Sequence, residues 1–237
     1  MISGSTAVFL SVLGAALASM PVYAWRGHSR DADAARKGSR FLAGVGNFLV
    51  HWFMWAIAPA ERLSLRLGVT PDVFNFLGLA FGLGSGVLIA AGRLPLGGWA
   101  IALGGICDVL DGRIARATGA ASPYGKFIDS TLDRFVEVFV FLGFVVYLRD
   151  TTWGGLLAAA SLAGSLLVSY ATARGETVGV PCHRGLMQRA ERLVLTCLVC
   201  LVAPPTPALL WVLAFVAVTT FGTAIYRTVW ISVRLRR

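Results

Sequence analysis

Charge is scarce in this chain. Asp, Glu, Lys and Arg make up 14% of its 237 residues, against 57% hydrophobic. With a mean hydropathy of +0.73, that excludes an ordinary soluble domain, where charged residues are about a quarter of the total. Acid is scarcer than base, 12 Asp and Glu against 21 Lys and Arg, for a net +9. In an apolar chain such a surplus is read from where the charges sit, and no nucleic-acid partner is expected. Cysteine is sparse as well. Cys107, Cys182, Cys197 and Cys200 fall mostly in apolar segments and suggest no disulfide framework. Cys197-x2-Cys200 has no second ligand pair, which argues against zinc. Proline gathers at turns, in Arg93-Leu-Pro95, Ser122-Pro123 and Pro204-Pro205-Thr-Pro207, and no internal repeat is visible.

What remains is long apolar runs, over roughly 5–25, 72–92, 95–117, 125–148, 152–173, 188–203 and 208–230. Spans of about 20 residues are what a bilayer core requires, so the composition predicts an all-α integral membrane protein. Residues 40–66 interrupt the series with Phe41, Phe48, Trp52, Phe53 and Trp55 followed by Glu61, Arg62 and Arg66. That aromatic, amphipathic stretch is expected to lie in the membrane interface as a helix. Thr70-Pro71-Asp72 opens the next span, with Pro in the first turn. Residues 1–39 are expected to form an extra N-terminal span and a basic cytoplasmic linker. The first block has no basic residue ahead of it and a basic run from Arg26 to Arg40 behind it, which favours a retained anchor over a cleaved signal. Alternating the spans leaves only Arg93 and Arg149 of the 21 Lys and Arg on one face. The other face is then cytoplasmic by the positive-inside rule.

Against this background stand four aspartates, Asp108-x2-Asp111-Gly112-x2-Ala115-Arg116-x8-Gly125-x3-Asp129-x3-Asp133. A carboxylate in hydrocarbon costs roughly 2.5–3.5 kcal/mol, so a cluster of them demands partners. Clustered carboxylates suit hard divalent cations such as Mg²⁺ or Mn²⁺. The i,i+3 and i,i+4 spacings put each pair on one helix face. In a hairpin turning near residue 121, Asp108 matches Asp133 in depth and Asp111 matches Asp129. Four converging carboxylates can hold two ions by bridging. Gly112 and Gly125 would clear space for a bulky group against the helix backbone, and Arg116 offers a planar cation suited to phosphate. Together these predict a site for a diphosphate substrate near the cytoplasmic face. Glu137 continues the row after Asp133, either supporting the site or simply paired.

Every specified position of this pattern resembles the signature of the CDP-alcohol phosphotransferase family. The likeness extends over about residues 69–230. Thr70-Pro71-Asp72 and Gly78 are similar to the family's opening motif. Ser169-Tyr170-Ala-Thr-Ala173-Arg174-Gly-Glu176 and Arg189-Ala-Glu191-Arg192-Leu193 resemble the bacterial phosphatidylinositol-phosphate synthase branch. The resemblance implies a domain over 40–237 with an interfacial helix and a bundle of six transmembrane helices over 72–234, usually a homodimer. It implies metal bound by Asp108, Asp111 and Asp129, with Asp133 also near it and acting as general base. The CDP pocket would comprise Asp108, Gly112, Ala115, Arg116 and Gly125, with Asn75 close by in place of a hydroxyl residue. The reaction implied is transfer of a phosphatidyl group from CDP-diacylglycerol to a polar alcohol, with release of CMP.

For the acceptor, Arg174, Arg189, Arg192 and Arg227 all fall at cytoplasmic helix ends, where several guanidinium groups would hold a phosphorylated molecule. In the inositol-phosphate branch the acceptor pocket resembles a Lys-Arg-Arg trio. Here Arg192 and Arg227 match it and Thr172 replaces the lysine. A phosphorylated polyol such as inositol phosphate is the first expectation, ahead of glycerol 3-phosphate and an unphosphorylated alcohol. Two readings from other classes compete. A prenyltransferase would place its acidic motifs on well-separated helices. An Asp-lined ion transporter would show broken helices or repeats.

Overall fold

A computed structural model describes residues 4–25 and 45–236, all of whose regular elements are α-helices. In chain order they are α1 (Gly4–Trp25), α2 (Val45–Arg66), α3 (Pro71–Ala90), α4 (Leu94–Ala117), α5 (Pro123–Tyr147), α6 (Gly154–Thr177), α7 (Arg189–Val202) and α8 (Thr206–Leu235). The basic stretch 26–44 lies outside the described residues, including Phe41 and the start expected for the interfacial helix. Two compact units divide the chain: Met1–Val73 with Val109–Ala121, and Phe74–Asp108 with Ser122–Arg237.

In the first unit, α1 and α2 meet through aromatic side chains. The Trp52 indole Nε1 donates to Ser19 Oγ at 2.9 Å, and Tyr23 packs against Phe48 and Trp55 with ring centroids 5.6 and 5.7 Å away. Part of the aromatic face expected to rest in the interface is therefore spent on α1. Arg113, near the end of α4, donates through Nε to Glu61 Oε2 of α2 at 2.7 Å. Both side chains are largely shielded, which strengthens the pair relative to an exposed one.

The second unit is a helix bundle around Ile89, Ile101, Val140, Phe144, Ala158, Leu209, Leu213 and Val216. Its helices approach closely where side chains vanish. A Cβ on Gly143 of α5 would stand 2.5 Å from the Gly86 carbonyl oxygen of α3, and one on Gly98 of α4 would stand 2.9 Å from the Leu201 backbone nitrogen of α7. Small residues replace the hydrophobic effect as the packing device where the surrounding solvent is itself apolar. Ser161 of α6 donates to the Leu213 carbonyl of α8 at 2.9 Å, tying two apolar helices by a polar bond.

Four described helices, α3, α4, α6 and α8, are long and apolar enough to cross a membrane. The sequence expects six in this region. Over α5 the chain carries Lys126, Asp129, Asp133, Arg134 and Glu137, and α7 has 14 residues, about 21 Å of helix against a hydrocarbon core of about 30 Å. Both shortfalls lie in the helices that carry the charged residues described next.

Candidate active site at the carboxylate cluster

Helix α5 begins because Ser122, in extended backbone, caps it: its Oγ accepts from Gly125 N at 3.1 Å, and Pro123 occupies the first turn. That start sets the rotation which carries Asp129, Asp133 and Glu137 along one face. Gly125 thus belongs to the cap, and only Ser122 Oγ lies within contact range of a Cβ placed there. Helix α7 begins at a capping box, with Gln188 N donating to Glu191 Oε2 at 2.8 Å. The preceding loop is pinned to α8, where Thr223 Oγ1 accepts from Leu186 N and Met187 N. Two independent anchors therefore fix where Arg189 and Arg192 project.

These arginines form a ladder against acids of α4 and α5. Arg189 pairs with Asp108 Oδ1 at 3.1 Å through Nη1 and with Asp133 Oδ1 through Nη2. One turn on, Arg192 donates from Nε and Nη2 to Glu137 Oε1 at 3.2 and 2.5 Å. Asp108 and Asp133, predicted to lie at equal depth on neighbouring helices, are bridged by a single guanidinium. Asp108 and Asp129 offer carboxylate oxygens within 4.8 Å of each other. Asp111 follows one turn beyond Asp108 on the same stripe of α4 and is buried. Two oxygens ligating one Mg²⁺ at about 2.1 Å stand no more than about 4.2 Å apart, so a small side-chain adjustment suffices. The donor set fits a hard divalent ion, and a cationic group already holds one of its members, Asp108, together with Asp133.

In the unit that holds the end of α4, the Arg116 guanidinium folds back over Gly112, 3.1 Å from where a Cβ would be. Gly112 thus makes room for this arginine, and Ala115 is the partly exposed residue beside it. Asn75, on α3, is buried at 8% exposure.

The residues expected around the acceptor separate into four settings. Arg227 and Thr172 come together: Arg227 Nη1 donates to Thr172 Oγ1 and to the Val168 carbonyl, while Nε donates to the Arg184 carbonyl at 2.8 Å. All these partners are neutral, so they satisfy hydrogen bonds without cancelling the charge. Arg192 is 2% exposed and its Nη1 has no hydrogen-bond partner, an orphan of the kind an anion would satisfy. Arg189 is engaged with the carboxylates instead. Arg174 lies two residues along α6 from Thr172, about 200° around the helix. It lines a separate apolar groove of about 500 Å³ with Leu167, Tyr170, Phe221 and Ile225. The positions of Arg174 and Arg189 were not legible from sequence, because all four arginines share a depth and only rotation distinguishes them.

The CDP-alcohol phosphatidyltransferase family model matches residues 68–230. A phosphatidylinositol phosphate synthase of Streptomyces avermitilis is 38% identical over 61% of this chain and 62% of its own length. One from Mycobacterium marinum is 32% identical over 73% and 79%. The crystal structure of Mycobacterium tuberculosis phosphatidylinositol phosphate synthase with CDP-DAG bound matches with a TM-score of 0.67 and 28% identity, over 73% of this chain and 92% of that one. The same enzyme in complex with manganese and citrate gives 0.68, over 73% and 87%. With the family pattern complete in the sequence and the family model matched over residues 68–230, the chain belongs to the CDP-alcohol phosphatidyltransferase family.

Proposed function

We propose that this protein transfers the phosphatidyl group of CDP-diacylglycerol to a hydroxyl of inositol phosphate, releasing CMP, as a step of phospholipid synthesis. The observation that carries the reading is the aspartate row in a chain matched to the family over residues 68–230, together with the buried Arg192 guanidinium held by Glu137, one turn along α5 from Asp133. Relatives named phosphatidylinositol phosphate synthase support the acceptor.

Asp108, Asp111, Asp129 and Asp133 would hold Mg²⁺ or Mn²⁺, and four carboxylates suit two ions. When bound, the ions would neutralise the donor diphosphate and stabilise departing CMP. Gly112, Ala115, Arg116 and Gly125 would border the nucleotide, with Asn75 close to it, and Arg116 would contribute a fixed positive charge. Arg192 and Arg227 would hold the acceptor phosphate, Arg227 by its uncancelled charge and Arg192 through Nη1. With the acceptor so held, Asp133 takes the proton of its hydroxyl as the oxygen attacks the lipid-side phosphorus. The rest is positioning of two substrates within reach of each other.

The wider setting follows the family. Six helices over 72–234 would span the inner membrane with the site toward the cytoplasm. Helix α2 would lie at the interface, and two copies would pair. The acyl chains could then stay in the bilayer while the polar acceptor enters from water.

The test is CMP release by purified protein given CDP-diacylglycerol, Mg²⁺ or Mn²⁺ and a panel of acceptors, with products identified by mass. Inositol phosphate should give the highest kcat/KM, with glycerol 3-phosphate and free inositol far lower. Preference for either of those would replace the acceptor. Absence of CMP with every acceptor would remove the reaction.

A further inference from the structure

The ladder between α5 and α7 has one rung in an unusual place. Arg189 clamps Asp108 and Asp133, two carboxylates that the proposed reaction requires for metal and for proton transfer. Arg189 and a divalent ion would compete for these side chains, since the guanidinium holds an Oδ1 of each and two cations so close repel one another. Yet the neighbourhood holds incomplete partners for this arginine. Arg189 Nε is buried without a hydrogen-bond acceptor, and Glu137 Oε2, one turn along α5 from Asp133, is buried without a donor. Glu137 is among the carboxylates whose field acts on Arg189. An unmade donor and an unmade acceptor, both desolvated, are costly to leave apart.

We propose that Arg189 is an internal counter-cation. It neutralises Asp108 and Asp133 before metal binds, and on metal binding it moves one rung toward Glu137 Oε2. The proposal rests on the metal site assigned above. Without such a placeholder, clustered carboxylates would repel one another across a medium of low dielectric. With it, the helices pack in the metal-free state, and Asp133 is held back from acting as a base until the ion arrives. Arg189 is thus a positioning residue, exchanging with the metal instead of touching the reacting atoms.

The exchange is read without turnover. Mn²⁺ affinity of the detergent-solubilised protein is measured from the electron paramagnetic resonance of free Mn²⁺, with no substrate present. Removing a competing cation should tighten binding, so Arg189→Gln is expected to lower the Mn²⁺ Kd about tenfold, the ratio for loss of one charge-assisted hydrogen bond. Arg189→Lys, a single point charge that cannot span two carboxylates, should lower it about threefold. Glu137→Gln should raise it severalfold, because the displaced arginine loses its charged destination. In the wild type, saturating Mg²⁺ should shift the Arg189 Nε–H resonance, assigned by its loss in Arg189→Lys. An unmoved resonance, or a Kd unchanged or weaker in Arg189→Gln, overturns the exchange. Asp129→Asn separates the two ideas. If it abolishes Mn²⁺ binding while the Arg189 variants do nothing, the metal site stands and only the placeholder falls. If it has no effect on Mn²⁺ at all, the assigned site itself is wrong.

Discussion

Glu137 and Arg192 illustrate how a single pair sets the properties of its surroundings. Their side chains are 8% and 2% exposed and meet at 2.5 Å, in a place where a lone charge would be intolerable. Breaking such a pair typically costs 3–5 kcal/mol, whereas replacing both partners by apolar groups of similar size is often neutral. Arg192→Met should therefore lower the unfolding midpoint of the solubilised protein steeply, and adding Glu137→Leu should restore most of it. A double variant as unstable as the single would show that the charge is not what matters there. Activity should follow a different rule: at saturating Mg²⁺, which offsets any metal affinity lost with Glu137, the restored double variant is expected to keep its donor KM and to show an acceptor KM raised at least tenfold. Equal effects on both substrates would argue against a separate acceptor pocket. Asp133→Asn isolates the chemistry. Turnover should fall by at least 100-fold, as expected for loss of a general base, while binding of CDP persists in a calorimetric titration. Turnover near that of wild type would take the proton-transfer role from Asp133.

At the scale of the elements, the charges sit on helices whose starts are fixed by local signals. Ser122 caps α5 and the Gln188–Glu191 box caps α7, and both starts were legible in the sequence as turns or helix openings. Packing between helices was less legible. Gly86 and Gly143 read as ordinary glycines in apolar runs, yet each lets the α3 and α5 backbones touch. Gly143→Val should destabilise the solubilised protein by about 1–3 kcal/mol, the cost of overpacking a close contact, measured by thermal unfolding. Gly84, which has nothing within 4 Å of a Cβ, is the control, and its Ala variant should unfold with the wild type. Equal loss at both sites would mean that the close α3–α5 backbone contact is not what governs Gly143, since helix propensity alone favours Ala over Gly.

For the whole molecule, the proposed role of the carboxylate row predicts activity that depends on a divalent ion, and the placement of the basic residues predicts an orientation. Treatment with a chelator should abolish CMP release, and Mg²⁺ or Mn²⁺ should restore it. Activity surviving chelation would detach the aspartates from metal chemistry. Single cysteines at Ala121, in the α4–α5 turn, and at Thr152, before α6, should react with an impermeant maleimide from opposite sides of intact cells. Ala121→Cys should react only from the cytoplasm. Labelling of both from one side would contradict the alternation of spans read from the basic residues.

The aspartate pattern and the scarcity of charge determined the class and the family from the sequence alone, while the placement of the 21 basic residues carries the expectation of which face holds the chemistry. Composition and spacing carry that information because burying a carboxylate is so costly that its pattern is constrained along the chain. The tertiary structure decided what periodicity cannot resolve, namely which arginine faces which acid. Arg174, Arg189, Arg192 and Arg227 have the same charge and nearly the same depth, and only helix rotation and the loop pinned at Thr223 sort them. One lines an apolar groove, one clamps two aspartates, one is locked to Glu137, and one rests on neutral carbonyls and Thr172. Sequence sets the depth of a charge in a bundle through the length of its helix, whereas its partner depends on contacts between segments far apart in the chain.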